Sequence, residues 1–318
     1  MSYIGIQTQQ RRNNLRSTIL LILFPVLILV LSYVVYLFVH AGNLEMSGFF
    51  NADVLVDFSV NVAPWVIAIV GIWFLIAYWS NTTIINNAVH SKPLERKENM
   101  RVYNLVENLC MQSGMKMPKV NVIHDNSLNA FASGINDKTY TVTLTDGIIQ
   151  KLNDDELKAV IAHELMHIRN RDVRVLIVSI VFVGIFTMLS QMGFRMMLFS
   201  NTGRSSNSKN GNSQIVILLA VLLVSIVGYF FAILMKFAIS RKREYMADAG
   251  AAEMTKDPRA LASALRKISG NPEVKGVARD DIAQLFIEHP LNKKKSFMSD
   301  LFATHPPIKK RIAVLENF

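Results

Sequence analysis

Cysteine is nearly absent from this chain: Cys110 is the only one in 318 residues. That excludes an internal disulfide and a cysteine-rich zinc site. A lone cysteine of this kind reads as a small buried apolar residue. Charge is scarce as well, with 18% charged residues against 51% hydrophobic ones. That balance excludes an ordinary water-facing surface over the whole chain. Charge is missing altogether from residues 17–39, 58–79, 175–194 and 215–235. Runs of about 20 apolar residues can cross the hydrocarbon core as helices, so four spans are expected. Pro25 and Pro64 lie inside the first two. The first run is too long for a signal-peptide core and no small-residue cleavage site follows promptly, so it reads as an uncleaved span. No internal repeat is present.

The 34 basic and 24 acidic residues give a net charge of +10. Their placement points to a membrane rather than to nucleic acid. Arg11, Arg12 and Arg16 precede the first run, and Lys92, Arg96 and Lys97 follow the second. Residues 41–57 between them carry Glu45, Asp53 and Asp57 but no Lys or Arg. The positive-inside rule then puts the N-terminus in the cytoplasm and the 41–57 loop outside. The fourth run ends at Lys236, Arg241, Lys242 and Arg243, another basic flank, after a Ser-, Asn- and Gly-rich loop at 199–214. Both termini and everything between the two hairpins therefore fall on the cytoplasmic side. Lys293, Lys294 and Lys295 read as a solvated or membrane-facing cytoplasmic surface.

The expected organisation is an α-helical integral membrane protein with about four transmembrane helices and a cytoplasmic α+β domain. Residues 1–80 form one membrane hairpin and 173–238 a second; 81–172 and 239–318 build the domain. Val102, Leu105, Val106 and Leu109 share a helical face in 99–111. Residues 119–124, 129–132 and 139–144 alternate like strands, the last two joined by a turn over 134–138, and an antiparallel sheet is expected. Helices are expected again over 257–268 and 306–315.

Between the strands and the third run lies His163-Glu-Leu-Met-His167. Asn153 is placed to cap a helix, Glu156 sits where a capping-box carboxylate would, and Asp154, Asp155 and Glu156 favour the positive end of the helix dipole. Leu157, Val160, Ile161, Leu165 and Ile168 recur at helical spacing. On that helix His163 and His167 lie one turn apart on one face and can reach one ion. Glu164 is rotated by about 100°, poorly placed as a ligand and well placed to touch a water on the metal. This is the zinc-peptidase arrangement of two ligands and a general base, though the motif is short enough to arise by accident.

A catalytic zinc takes a third protein ligand and keeps one position open. Glu244, just beyond the fourth run, is the best candidate. Asp248, four residues on and on the same face, could accept from a ligand imidazole and fix its tautomer. The same segment also reads as a solvated helix of Arg/Glu pairs. His124 reads as a half-buried strand residue, His40, His90 and His289 as ordinary polar positions, and the methionines as core filling.

These motifs, taken together and in this order, resemble the HtpX-type integral-membrane zinc metalloproteases, relatives of the CAAX prenyl proteases. The residues that carry the resemblance are Asn129-Ala-Phe-Ala-Ser-Gly134, Thr145-Asp-Gly147, the His163–His167 motif, Arg243-Glu-Tyr-Met-Ala-Asp248, and Thr304-His-Pro-Pro307 with Arg311-Ile312. The resemblance implies one Zn2+ held by His163, His167 and Glu244, with Glu164 as base and Asp248 behind the ligands. It places Asn129 on a strand beside the substrate cleft and brings His305 and Arg311 towards the site. It further implies a zincin-like fold, and endoproteolysis of misfolded membrane proteins under stress, with self-cleavage. The substrates are then membrane proteins or unfolded polypeptides. Two other readings stand beside this one: a prenyl-protein processing peptidase, and a non-catalytic metal-binding membrane scaffold.

Overall fold

The computed structural model of the chain describes residues 6–40, 52–175, 241–270, 285–287 and 306–317, with isolated positions between 177 and 228. The third and fourth expected spans, His305, His289, the lysine run at 293–295 and most of 271–300 lie outside the described residues. The chain divides into two compact units. One contains Met1–Ser17, Ser80–Ile180 and Met235–Phe318; the other contains Thr18–Trp79 and Val181–Leu234.

The second unit is built from α1 (Ile6–His40), whose first twelve residues belong to the other unit, α2 (Ala52–Asn61) and most of α3 (Ala63–Ala88). The 58–79 run does not form one unbroken helix. It bends by 43° at Val62, between α2 and α3, because Pro64 supplies no amide hydrogen and disfavours helical geometry in the residue before it. Among the described residues no single helix is both long and apolar enough to cross a membrane; α2 with Ala63–Ile76 meets that test as a bent pair. Phe58 is buried between Tyr33 and Tyr36, with ring centroids 5.0 and 5.6 Å away. Ile22, Val60, Ile69 and Ile72 face outward.

The first unit places a small sheet against helices. Its elements are β1 (Lys92–Pro93), α4 (Met100–Ser113), β2 (Lys119–Ile123), β3 (Ala130–Ser133), β4 (Thr141–Thr145), α5 (Asp146–Lys151) and α6 (Asp154–Arg169). After them come α7 (Arg241–Thr255), α8 (Pro258–Ile268) and α9 (Ile308–Glu316). The strand order is β1-β2-β4-β3. The sheet is mixed, not antiparallel as the strand pattern suggested. β2 and β4 run parallel, and only β1–β2 and β3–β4 are antiparallel. The hairpin over 134–138 joins β3 to β4 as expected, but β2 lies on the far side of β4. Alternation within a strand cannot reveal which neighbour it chooses.

All five of the apolar positions on α6 that share helical spacing are buried, from Leu157 to Ile168. Asn153 and Glu156 cap α6 reciprocally: Asn153 Oδ1 accepts from the Glu156 amide at 2.9 Å, and Glu156 Oε2 from the Asn153 amide at 3.0 Å. The same carboxylate accepts from Ser263 Oγ and Lys267 Nζ on α8, both at 2.7 Å. The cap thus ties the metal helix to the C-terminal half of the unit. Burial alone would raise the Glu156 pKa; these donors hold it below the usual carboxylate range. Replacing Asn153 by Ala is expected to cost about 0.5–2 kcal/mol, read as a lower unfolding temperature in detergent. An unchanged transition would mean that the cap contributes nothing. Gly147 has a separate reason to be glycine. A Cβ there would fall 2.3 Å from the carbonyl oxygens of Asn126 and Ser127, so that loop packs closely only on a bare backbone.

Candidate metal centre

α6 and α7 lie side by side, and that contact brings together residues from both ends of the sequence. Gly250 permits the close approach: a Cβ there would meet the Met166 side chain at 2.3 Å. Along the contact, His163 Nε2 and His167 Nε2 lie 3.1 Å apart. Glu244 places Oε2 3.6 Å from the first and Oε1 3.5 Å from the second. The three donors form a group whose ligand atoms all lie within 4.8 Å of one another.

The outer ring nitrogens decide what the inner ones can do. His163 Nδ1 is 3.0 Å from Asp248 Oδ1, and His167 Nδ1 is 3.2 Å from Asp172 Oδ2. A carboxylate only accepts, so each Nδ1 carries the hydrogen and each Nε2 presents its lone pair. Two lone pairs facing each other at 3.1 Å beside a carboxylate repel unless a metal ion or a proton lies between them. Donors around a tetrahedral zinc with bonds of about 2.0–2.1 Å are about 3.3–3.4 Å apart. The observed spacings bracket that value, so the residues fit such an ion.

Arg311 of α9 completes the surroundings. It is 1% exposed. Its Nε and Nη2 donate to the two oxygens of Asp248 at 2.9 and 2.6 Å, and Nη1 lies 3.3 Å from Glu244. Burial alone would raise the Asp248 pKa, but Arg311 and His163 hold it low. Burial alone would lower the His163 pKa, yet hydrogen bonds to Asp248 and Glu244 bring it up to about 9. Without a metal this imidazole therefore holds a proton at neutral pH, and a metal must displace it. The apparent zinc affinity is accordingly expected to rise by about tenfold per pH unit through neutral pH and to level off above pH 9. Competition with a chelator across that range measures it, and a flat profile would rule out the competition. Glu164 is 2% exposed. Its pKa is raised first by burial and then by Glu244, while His163, His167 and Arg311 act against that rise.

The structure treats the remaining candidate residues differently. Asn129 directs its backbone inward: its carbonyl accepts from the Thr145 amide at 3.1 Å and its amide donates to Thr145 Oγ1 at 3.1 Å. By strand alternation the outward-facing groups of edge strand β3 belong to Ala130 and Ala132, and the Ala130 carbonyl accepts from the Ile287 amide at 2.9 Å. A peptide added to this edge would meet those residues, not Asn129. His124 is exposed rather than half-buried, because it follows the last residue of β2, and it pairs with Asp146 at 2.9 Å. Asp172 was not anticipated. It reaches His167 because α6 ends at Asn170 and Arg171 adopts φ 59°, which turns the chain back. A carboxylate five residues beyond a ligand histidine was the available signal, but the turn was not legible.

Residues 96–318 match the model of peptidase family M48. A protease HtpX homolog of Bacteroides fragilis is 61% identical over the full length of both chains. The homolog of Lactobacillus helveticus is 36% identical, over 80% of this chain and 87% of its own. Among solved structures, the crystal structure of S. mikatae Ste24p is similar with a TM-score of 0.49 at 20% identity, over 82% of this chain and 60% of that one.

Proposed function

Because the chain belongs to peptidase family M48 and is a metalloprotease, we propose that it is a membrane-embedded zinc endopeptidase whose centre is His163, His167 and Glu244. The observation that carries this reading is the convergence, among the described residues, of three donors beside a buried carboxylate that is not among them. Three protein ligands leave the open position that a catalytic ion needs, whereas a structural zinc is closed by four. That favours an enzyme over a scaffold.

Bound there, zinc supplies a Lewis acid that polarises the scissile carbonyl and makes a water molecule acidic near neutral pH. Glu164 takes the proton of the attacking water and returns it to the leaving amine. Asp248 and Asp172 hold the two imidazoles in the tautomer that keeps each Nε2 on the metal. Arg311 keeps Asp248 ionised and adds positive charge beside the oxygen on which negative charge develops. The outward edge of β3 receives the substrate backbone through Ala132, beyond the Ala130 carbonyl that the Ile287 amide holds.

The membrane reading rests on four uncharged runs, their basic flanks and the outward-facing apolar side chains of the second unit. Trp65 and Trp79 are exposed on α3. Trp79 ends the 58–79 run, as suits a side chain near one interface of a bilayer. The hairpins 1–80 and 173–238 then anchor catalytic segments 81–172 and 239–318 in the cytoplasm. A site beside the bilayer suits unfolded or misfolded membrane proteins as substrates, and hence a role in quality control under stress.

Two experiments test this. In proteoliposomes, cleavage of an unfolded membrane protein is expected to stop with chelator and return with zinc; cleavage indifferent to chelator would overturn the proposal. Cys110 is buried and its thiol is pushed up to about 11 by that burial, so the parent should label poorly. In intact cells, Lys116→Cys is expected to react with a membrane-impermeant maleimide only after permeabilisation. Labelling before it would place the domain outside.

A further inference from the structure

Asn13 lies on the polar first turns of α1, before the apolar run begins. It is 1% exposed, while its neighbours Arg11, Arg12 and Leu15 face outward. Its side-chain Nδ2 donates to the Asn170 carbonyl at 2.8 Å and to Asp172 Oδ1 at 2.7 Å. Both partners only accept, so the nitrogen end of the amide must be the end that faces them. Its Oδ1 is buried with no hydrogen-bond partner among the described residues, a cost that an apolar residue at this position would avoid.

The two contacts fall on the turn that makes the metal centre. The other oxygen of Asp172 is the one that accepts from His167 Nδ1. The next residue along α1, Asn14, accepts from Arg171 Nη1 at 3.0 Å, and Arg171 is the residue in the left-handed conformation. That conformation is uncommon for a long side chain and persists only where its surroundings hold it. Asn13 and Asn14 therefore grip the reversal from successive positions of α1, with Asn13 on the carboxylate and Asn14 on the strained residue.

From this geometry we infer that Asn13 is a positioning residue of the metal centre, acting through Asp172 on the ring of His167. The chain of contacts is Asn13 Nδ2 to Asp172 Oδ1, then Asp172 Oδ2 to His167 Nδ1, leaving His167 Nε2 turned towards His163 and Glu244. Asp172 opens the helical turn that follows the Arg171 reversal, and Asn13 fixes which way its buried carboxylate points. Arg243, beside ligand Glu244, approaches the same carboxylate at 3.6 Å and donates to the Asp172 carbonyl at 3.4 Å. The segment that precedes the first apolar run is thus part of the catalytic machinery, and one continuous helix carries both. This inference rests on the proposed metal site.

The test is zinc affinity, not activity, measured by chelator competition on the full-length chain in detergent. A Glu164→Gln background prevents self-digestion. Asn13→Ala and Asp172→Ala are each expected to weaken zinc binding by about tenfold or more. The double variant should bind no worse than Asp172→Ala, within about twofold, because both act along one path. Arg12→Ala, on the exposed face of the same helix, should bind as the parent does. If Asn13→Ala does not fold, the isosteric Asn13→Asp carries the same expectation with a larger loss, since two carboxylates would then face each other. Parental affinity in the Asn13 variant, or losses that multiply in the double variant, would overturn the inference. A parent that binds no zinc would instead overturn the metal reading beneath it.

Discussion

Replacing Glu164 by Gln is expected to slow peptide hydrolysis by about 10²–10⁴-fold, the usual contribution of a positioned general base. The zinc content should not change. The glutamine keeps the shape of the side chain and loses only the ability to accept and return a proton. Glu164 follows ligand His163 directly on α6 but is rotated off the face that carries both ligands, so its loss removes chemistry without removing a donor. The pH profile carries a second signature. Burial raises the Glu164 pKa above the ordinary carboxylate range. A base must be ionised to act, so the parent's activity should fall as the pH drops through the pKa that burial raises and the zinc charge lowers. The residual activity of Glu164→Gln should lack this limb. A variant that cleaves at the parental rate would remove Glu164 from the mechanism.

Replacing Arg311 by Ala is the second large effect expected, and it appears in stability. Arg311 is fully buried and holds Asp248 through two hydrogen bonds while lying 3.3 Å from Glu244. Its removal takes away positive charge that two buried carboxylates share. Breaking a buried pair from one side costs about 3–5 kcal/mol. The loss should be larger in the metal-free protein than in the zinc-loaded one, because the ion supplies positive charge beside the same carboxylates. Arg311→Lys should recover only part of it, since an ammonium cannot span both oxygens of Asp248 as the guanidinium fork does. Thermal unfolding with and without zinc measures both quantities. Equal stability of parent and Arg311→Ala would show that Asp248 needs no partner.

The sequence revealed most where function follows local spacing. His163 and His167 share a helix face by periodicity, and the cap at Asn153 and Glu156 is read from neighbouring residues. Glu244 could be singled out because it stands just beyond the fourth run, with Asp248 four residues on and on the same helix face. What escaped depends on contacts between distant segments. Nothing near Asn13 indicates that it reaches Asp172, more than 150 residues away. The parallel pairing of β2 with β4 is invisible in either strand alone. Asn129 was placed beside the cleft by its motif, yet strand parity turns its backbone towards β4 and gives the outward edge to Ala130, which Ile287 already meets, and Ala132. A one-residue difference in parity is enough to reverse which residues meet a substrate.

The central claim is that His163, His167 and Glu244 hold one ion, with Glu164 outside the ligand set. Bound zinc, measured after dialysis in matched preparations of the parent, Glu164→Gln and Glu244→Ala, tests it most directly. The account predicts one zinc per chain in the first two and a loss of tight binding in the third. Zinc retained in full by Glu244→Ala, or lost from Glu164→Gln, would contradict it.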